Sequence, residues 1–489
     1  MIVEFVTLLT LLIVGAAFMQ GLGLASWVST TFYLMIGMSI YVVIAFIQSL
    51  IAILLGKYAG ILAIPQITLA ICLILSFLYI IASYRETFTW NFLAPIVAMS
   101  LVYMVIIVFL WNIDLVKYHK DSIFYLINGA LLEGGNLSLV GVKRFTSIAL
   151  LHAPANIFTS NFYLRALEPA IGLATLGALF WFTRIGLDHS LPRKEALLFA
   201  IAGALLLLTT NRFVWHAFYI NAHLMTAGFM LIAAGSGWLI ALEPSRYKQF
   251  LCLQGAGTVG LILSREEGPL MAALVLLPTL LFERIPWRWR AGALLLLGFT
   301  VLLQQGFIIA RAWPVLRHSA LELMVFGVLA ILSCPLLSLR WLDRYSKHAL
   351  LAAEAVLWIA LVVYALRHPG LLDRSVNATL ANTVFGAGGW GASLVILTLL
   401  VVVVIVFTSA PHRIFLRFPV TTFLPLAFLL AYLRHEPYRV GVTDSLSRML
   451  IHIVPLAILF VVSAAASKGW ALRSGRGEPR QSRVPPALS

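Results

Sequence analysis

Residues 90–111 read WNFLAPIVAMSLVYMVIIVFLW, an unbroken run with no charged side chain. As a helix it would be roughly 33 Å long at about 1.5 Å per residue, enough to cross a hydrocarbon core of about 30 Å. Trp90 and Trp111 stand at its ends, where an indole ring meets apolar and hydrated surroundings at once. The same pattern recurs outward in both directions. Apolar stretches lie near 2–19, 31–55, 59–83, 91–111, 167–183, 195–210, 220–242, 249–263, 268–282, 291–310, 320–338, 349–366, 391–408, 418–433 and 449–466. Alternating ten-residue strands are absent, which excludes a membrane barrel. The expectation is an all-α, polytopic transmembrane helix bundle of about 15 spans.

Composition points the same way, with 61% hydrophobic and only 11% charged residues in 489, where soluble domains carry about 25% charged. The first run, near Ile2 to Met19, lacks a basic leader and a small-x-small cleavage site, so it reads as a retained helix. Cys72, Cys252 and Cys334 all fall inside apolar stretches and read as packing residues, not metal ligands or a disulfide framework. The stretch at 249–282 is broken only by Ser264, Arg265, Glu266, Glu267 and Gly268, as a tight hairpin or a re-entrant element would be.

A net charge of +15 would suggest nucleic acid in a soluble protein. Here topology accounts for it. Numbering the connections alternately puts about 19 Lys/Arg and about 8 Asp/Glu on one side, including the tail from Lys468 to Arg483, and 15 against 11 on the other. By the positive-inside rule the first side, with the C-terminus, is cytoplasmic, and no nucleic-acid partner is needed. The chain then divides into four N-terminal transmembrane helices (1–111), a transmembrane module (112–466) opening on a long extracytoplasmic loop (112–165), and a disordered basic tail (467–489).

The extracytoplasmic side collects the chemistry-bearing residues. Its long loop carries Asp121, Tyr125, Lys143, Arg144 and His152, and shorter loops add Arg212, His216, Asn221, His223, Arg265, Glu266, Glu267, Asp444 and Arg448. Asp121 and Ser122 precede Ile123, Phe124, Leu126, Ile127, Ala130 and Leu131, the pattern of a cap leading into a juxtamembrane amphipathic helix. Asp121 and Tyr125 fall one turn apart on it. On this pattern alone Asp121 serves equally as a helix cap. Glu266 and Glu267 at the tip of two apolar helices need a partner, and Arg265 beside them supplies an ion pair. His223, after Asn221 at the mouth of a span, is better placed for a ligand than His216. No Walker motif, dinucleotide glycine fingerprint or zinc-spaced histidine pair is present, so no cofactor is implied.

This order of residues resembles the GT-C superfamily of polyprenyl-phosphate-sugar-dependent membrane glycosyltransferases. The matching features are a first extracytoplasmic loop beginning with Asp121, Ser122 and Tyr125, and Asn221 and His223 entering a span. Arg265 to Pro269 between two short spans, and Ser447 to Leu450 running on to Pro455, complete the set. The likeness covers roughly residues 112–466. Two departures stand out: four helices precede the acidic loop where many members have one, and no large C-terminal extracytoplasmic domain follows.

The resemblance implies an inverting transferase that moves a sugar from a polyprenyl-phosphate donor to a lipid-linked or glycan acceptor on the extracytoplasmic face of the bacterial inner membrane. Such a reaction needs a base for the acceptor hydroxyl and cations for the departing phosphate. Asp121 is the implied base, with Glu267 or Glu266 second. Tyr125, Lys143, Arg144, Asn221, His223, Arg265 and Arg448 are the implied donor-binding residues, and a divalent metal is compatible but not required. Two other readings stay open: an O-antigen-type polymerase or ligase, whose long loop is expected late in the chain, and a transporter or flippase of lipid-linked saccharides. The latter wants charges near the bilayer midplane, for which Glu354 is the main candidate.

Overall fold

A computed structural model describes residues 1–54, 64–82, 90–113, 115–118, 147–155, 163–311, 316, 319–407, 411–433, 439–442 and 444–474. The chain builds a bundle of α1 (Ile2–Gly21), α2 (Tyr33–Leu54), α3 (Ile64–Ala82), α4 (Trp90–Asn112), α5 (Leu167–Asp188), α6 (Arg193–Leu208) and the short α7 (Asn211–His216). It continues through α8 (Ala222–Leu242), α9 (Tyr247–Ser264), α10 (Gly268–Leu280), α11 (Trp287–Arg311), α12 (Ser319–Ser333) and α13 (Arg340–Arg367). Then follow α14 (Pro369–Thr383), α15 (Ser393–Phe407), α16 (Ile414–Leu433), α17 (Ser445–Met449) and α18 (Val454–Ser474). The one strand pairing among the described residues is parallel, between β1 (Lys117–Tyr118) and β2 (Tyr219–Ile220).

The all-α membrane bundle expected from the sequence is what the chain forms. Among the described residues eight helices are long and apolar enough to cross a membrane, or nine if the bent pair Ser445–His452 and Val454–Ala466 is one span. Shorter apolar helices at 67–79, 268–280, 393–407 and 414–430 account for further expected stretches. The 249–282 stretch folds as two helices, α9 and α10, and α10 at about 20 Å is shorter than a hydrocarbon core.

α8 is the axis of the bundle, buried along nearly its whole length and packed on α5, α9, α10, α16 and α18. In lipid, no hydrophobic effect drives helix against helix, so small residues that permit close backbone approach carry the packing. Ala227, Gly228, Ala233, Ala234, Gly235, Ser236 and Gly237 supply them on α8. A Cβ on Gly257 of α9 would stand 2.8 Å from the Ala233 nitrogen. Side-chain hydrogen bonds reinforce the seam: Gln254 Nε2 donates to the Ala233 carbonyl (3.1 Å) and to Thr279 Oγ1 (2.9 Å). α12, α13 and α15 instead expose long apolar rows, including Met324, Leu332, Ile359, Leu366 and Val406, which suit a lipid-facing perimeter.

The first helices share this core. Ser39 Oγ of α2 donates to the Ala256 carbonyl of α9 (2.7 Å), Tyr41 Oη to the Leu150 carbonyl (3.2 Å), and Glu4 Oε1 accepts the Arg165 N–H (2.7 Å). Glu354, the candidate midplane charge, is paired with Arg417 of α16 at 3.4 Å. The two ends of the bundle differ in kind. One gathers buried histidines, arginines and carboxylates; the other has a cavity of about 510 Å³ lined by Glu283, Arg284, Arg344, Lys347 and His412.

Candidate active site

Three chain breaks bring the polar cluster together. The first is the start of α8, where Asn221 is extended (φ −164°, ψ 165°) and its Oδ1 accepts the His223 N–H at 2.9 Å. That cap satisfies one of the helix's orphan donors and fixes His223 in its first turn. The second is the turn between α9 and α10, where Arg265 is extended and Pro269 opens the next helix. A Cβ on Gly268 would collide with the carbonyls of Leu261 and Ile262, so this turn requires glycine. Gln304 of α11 clamps it, donating to the carbonyls of Ile262 (2.5 Å) and Arg265 (2.8 Å). The third is α17, capped by Asp444, which accepts from the backbone N–H of Ser447 (2.7 Å) and of Arg439 (2.8 Å). A single 3-10 turn, Leu450–His452, then precedes the 44° bend into α18.

These breaks converge. Arg265 Nε donates to Glu267 Oε2 at 3.2 Å, and Arg265 Nη1 lies 3.3 Å from His223 Nε2. His223 Nδ1 lies 2.9 Å from His452 Nε2, and Asn221 Nδ2 lies 3.3 Å from His216 Nδ1. His216, Asn221, His223, Arg265, Glu267 and His452 are all buried, none exposing more than 6% of its surface. Arg212 is buried against the Trp215 ring, its guanidinium 4.3 Å from the ring centre, and donates to the Val442 carbonyl. Half-buried Arg448 donates through Nε to the Asp444 carbonyl at 3.4 Å.

Charge shapes the cluster's rim. Burial, then the neighbouring Arg448, pulls the Arg212 guanidinium down to about 10, which leaves it charged at neutral pH. Burial, with the guanidinium charges of Arg212 and Arg448, holds His216 well below the usual imidazole range, so that ring is neutral. Burial raises the Asp444 carboxyl, opposed by the N–H groups of Ser447 and Arg439. Three guanidiniums, Arg212, Arg265 and Arg448, thus meet two carboxylates that are already engaged, Glu267 by Arg265 and Asp444 as a cap, with half-buried Glu266 in the same turn. Guanidiniums gathered in this way suit an anion.

Of the residues singled out in the sequence, Asn221, His223, Arg265, Glu267 and Arg448 come together here. Glu266 sits in the same turn, half-buried. Asp121, Tyr125, Lys143 and Arg144 lie outside the described residues. The two described ends of their loop are both anchored at the cluster: Tyr118 pairs with Ile220, next to Asn221, and Ser147 Oγ donates to the Leu263 carbonyl, two residues before Arg265.

Sequence reasoning missed His452, although it falls four positions after Arg448, a helical neighbour spacing. His216, set after His223 in the sequence reading, is buried in the same cluster. The turn at 386–391, before α15, packs against α17 and Arg212. Gly386, Gly389 and Gly391 adopt positive φ (78°, 78° and 56°), and buried Trp390 donates through Nε1 to Ser447 Oγ at 2.9 Å. Behind α8, fully buried Glu168 lies 3.8 Å from His152 and beside the Asn221 backbone N–H.

Among the described residues no group of three or more His, Cys, Asp or Glu side chains is arranged to hold a metal ion. Comparison with family models, with curated proteins and with solved structures found no match to this chain.

Proposed function

We propose that this protein is a membrane glycosyltransferase that moves a sugar from a polyprenyl-phosphate donor to a lipid-linked or glycan acceptor. The observation that carries the reading is the convergence of Asn221, His223, Arg265, Glu267 and Arg448, from three distant stretches, into one buried cluster where guanidiniums gather. The reaction leaves a phosphate that must be stabilised as it departs, and fixed cations in a water-poor site do this well. The cluster faces the extracytoplasmic side of a bacterial plasma membrane in this reading, with the C-terminus cytoplasmic, as the distribution of Lys and Arg supports. The bundle then crosses the membrane about fifteen times, with the short apolar helices included.

Asp121 is the proposed base. It lies three positions after Tyr118, and three steps of chain cover at most about 11 Å, so a residue tethered at the mouth of α8 can reach the cluster. Lys143 and Arg144 are similarly close in sequence to Ser147, at the other anchor. In the proposed step Asp121 takes the proton of the acceptor hydroxyl, whose oxygen attacks the anomeric carbon opposite the phosphate. The bond between that carbon and the phosphate oxygen breaks, the configuration inverts, and the polyprenyl phosphate leaves with its charge held by Arg448, Arg265, Lys143 and Arg144. Tyr125 contacts the donor, and Glu267 holds the Arg265 guanidinium in place. Glu354 is ion-paired with Arg417, which leaves less support for a transporter.

Purified protein incubated with polyprenyl-phosphate sugars and an acceptor is expected to release free polyprenyl phosphate only when the acceptor is present. Asp121→Asn, which caps a helix about as well, is expected to lower turnover about 10²- to 10⁴-fold with donor binding nearly unchanged. No release with any sugar donor refutes the transferase; near-normal turnover by Asp121→Asn refutes the base and leaves Asp121 a helix cap.

A further inference from the structure

The hydrogen bonds of the cluster fix where its protons lie. A guanidinium has donors and no acceptor, so at 3.3 Å the Arg265 Nη1–H donates and His223 Nε2 accepts. His223 Nε2 therefore carries no proton, and the ring's proton is on Nδ1. That N–H points at His452 Nε2, 2.9 Å away, which must accept in turn. His452 then holds its own proton on Nδ1. Charging either ring would set two donors against each other, so the geometry makes both imidazoles neutral. The chain of donation runs one way, from Arg265 through His223 to His452, with Glu267 holding its head at 3.2 Å.

Its far end is open. His452 is fully buried, and among the described residues its Nδ1 has no hydrogen-bond partner. His216 repeats the situation. Asn221 Oδ1 is taken by the His223 N–H, so Asn221 Nδ2 faces His216 Nδ1, which accepts, and the His216 proton sits on Nε2. That nitrogen too is buried without a partner among the described residues. The His223 ring centre lies 5.4 Å from that of His216 and 5.0 Å from that of His452. A buried N–H without an acceptor is costly and rare in native proteins; two in one cluster mark a place for a ligand oxygen.

We infer that the His452 Nδ1–H and the His216 Nε2–H are ligand-facing donors of a site for an oxyanion, with Arg265 setting their polarity through His223 and Asn221 holding His216. An oxyanion accepts from several donors and brings no hydrogen of its own. A hydroxyl would bring a proton of its own, and the two carboxylates hydrogen-bonded within the described cluster, Glu267 and Asp444, are already engaged. Arg212, Arg265 and Arg448 supply the charge complement; the neutral histidines supply direction. Resting on the transferase reading, the oxyanion is a phosphate oxygen of the donor or of the departing polyprenyl phosphate.

The test uses full-length protein in detergent, uniformly labelled with [¹⁵N]histidine and assigned through single histidine variants. In the ligand-free protein the ¹⁵N shifts are expected to show His452 neutral with its proton on Nδ1. Addition of polyprenyl monophosphate, or of inorganic phosphate, is expected to move the His452 Nδ1 resonance; a response to the lipid alone assigns the oxyanion to a lipid phosphate. His452→Gln keeps an acceptor for His223 but loses the Nδ1 donor, so polyprenyl phosphate is expected to bind about ten- to a hundredfold more weakly at unchanged thermal stability. His452→Asn, which restores an N–H near the Nδ1 position, recovers part of that loss.

A proton on His452 Nε2 in the wild-type protein overturns the inference, and that measurement decides even if the variants do not fold. Binding of polyprenyl phosphate with the His452 resonance unmoved also overturns it, while leaving the transferase reading intact. No binding of either probe overturns it as well. A resonance moved by phosphate in a protein that transfers no sugar supports the oxyanion site and defeats the transferase reading instead.

Discussion

Trp390 Nε1 donates a hydrogen bond to Ser447 Oγ at 2.9 Å, joining the glycine-rich turn before α15 to the residue preceding Arg448. The indole is buried, and a Cβ on neighbouring Gly388 would strike that same Ser447 oxygen. Trp390→Phe removes the donor and leaves a gap beside α17. It is expected to destabilise the protein by about 1 to 3 kcal/mol and to weaken donor binding through Arg448. Thermal unfolding in detergent and a donor titration check both effects; unchanged binding separates Trp390 from the site.

Arg265 and Glu267 form a buried ion pair, both nearly inaccessible. Breaking such a pair strands a charge and costs about 3–5 kcal/mol, whereas replacing both partners by apolar residues is often near neutral. Arg265→Met is therefore expected to unfold at markedly lower temperature, and Arg265→Met/Glu267→Leu to recover most of the stability. Sugar transfer is not expected to recover with it. A double variant that is both stable and active shows the pair to be purely structural.

α1 and α2 cross at van der Waals range. A Cβ on Gly37 would collide with the Leu11 carbonyl, and one on Gly15 with the Tyr33 carbonyl. Gly37→Val is expected to push the helices apart and destabilise by about 1–3 kcal/mol. Because Ser39 lies two residues on and bonds to Ala256, the damage should reach α9. Proteolysis at sites in both helices reports it; loss confined to α1 contradicts the coupling.

The membrane orientation can be read by cysteine labelling. In a background lacking the three native cysteines, a cysteine at Ser122 is expected to react with an impermeant reagent in intact cells, and one at Ser474 only after permeabilisation. Labelling of both in intact cells refutes the orientation and the position of the site with it.

Buried histidines predict an acid-labile fold. Burial takes His152 from its ordinary value near 6.5 down to about 3, and its Nδ1 accepts the Leu164 N–H at 3.0 Å. Above about pH 6.5 the ring is neutral in both folded and unfolded chains and exerts no pH dependence. Below it the unfolded chain takes up a proton that the folded one refuses, so stability falls between about 6.5 and about 3. His216 is depressed in the same direction. Each such group contributes a slope of up to about 1.4 kcal/mol per pH unit. His152→Asn, which can still accept from Leu164, is expected to show a shallower acid slope in detergent melts; an identical slope excludes His152 as a source.

What the sequence determined is the solvent and the secondary structure. Runs such as 90–111 are too long and too free of charge for anything but a helix in lipid, because an unpaired backbone there has no water to turn to. Basic loops on alternate connections gave the frame in which Asn221, His223, Arg265, Glu267 and Arg448 share one face, since that reading needs only periodicity and a charge count. Hydropathy could not reveal which helix lies at the centre. α8 is less apolar than α12, yet α8 is buried and α12 exposed, because the small residues of α8 admit neighbours on every side.

Nor could the sequence show that His452 completes the cluster. Its partner His223 is 229 positions away, and a histidine in an apolar stretch carries no local mark of what it will face. The place of the glycine turn at 386–391 is hidden for the same reason: Ser447 and Arg212 are brought beside it only by the packing of distant elements. The direction of donation, from Arg265 to His223 to His452, was likewise decided by tertiary structure alone. A histidine's tautomer is set by the hydrogen bond at its other nitrogen, and that neighbour is supplied by the fold.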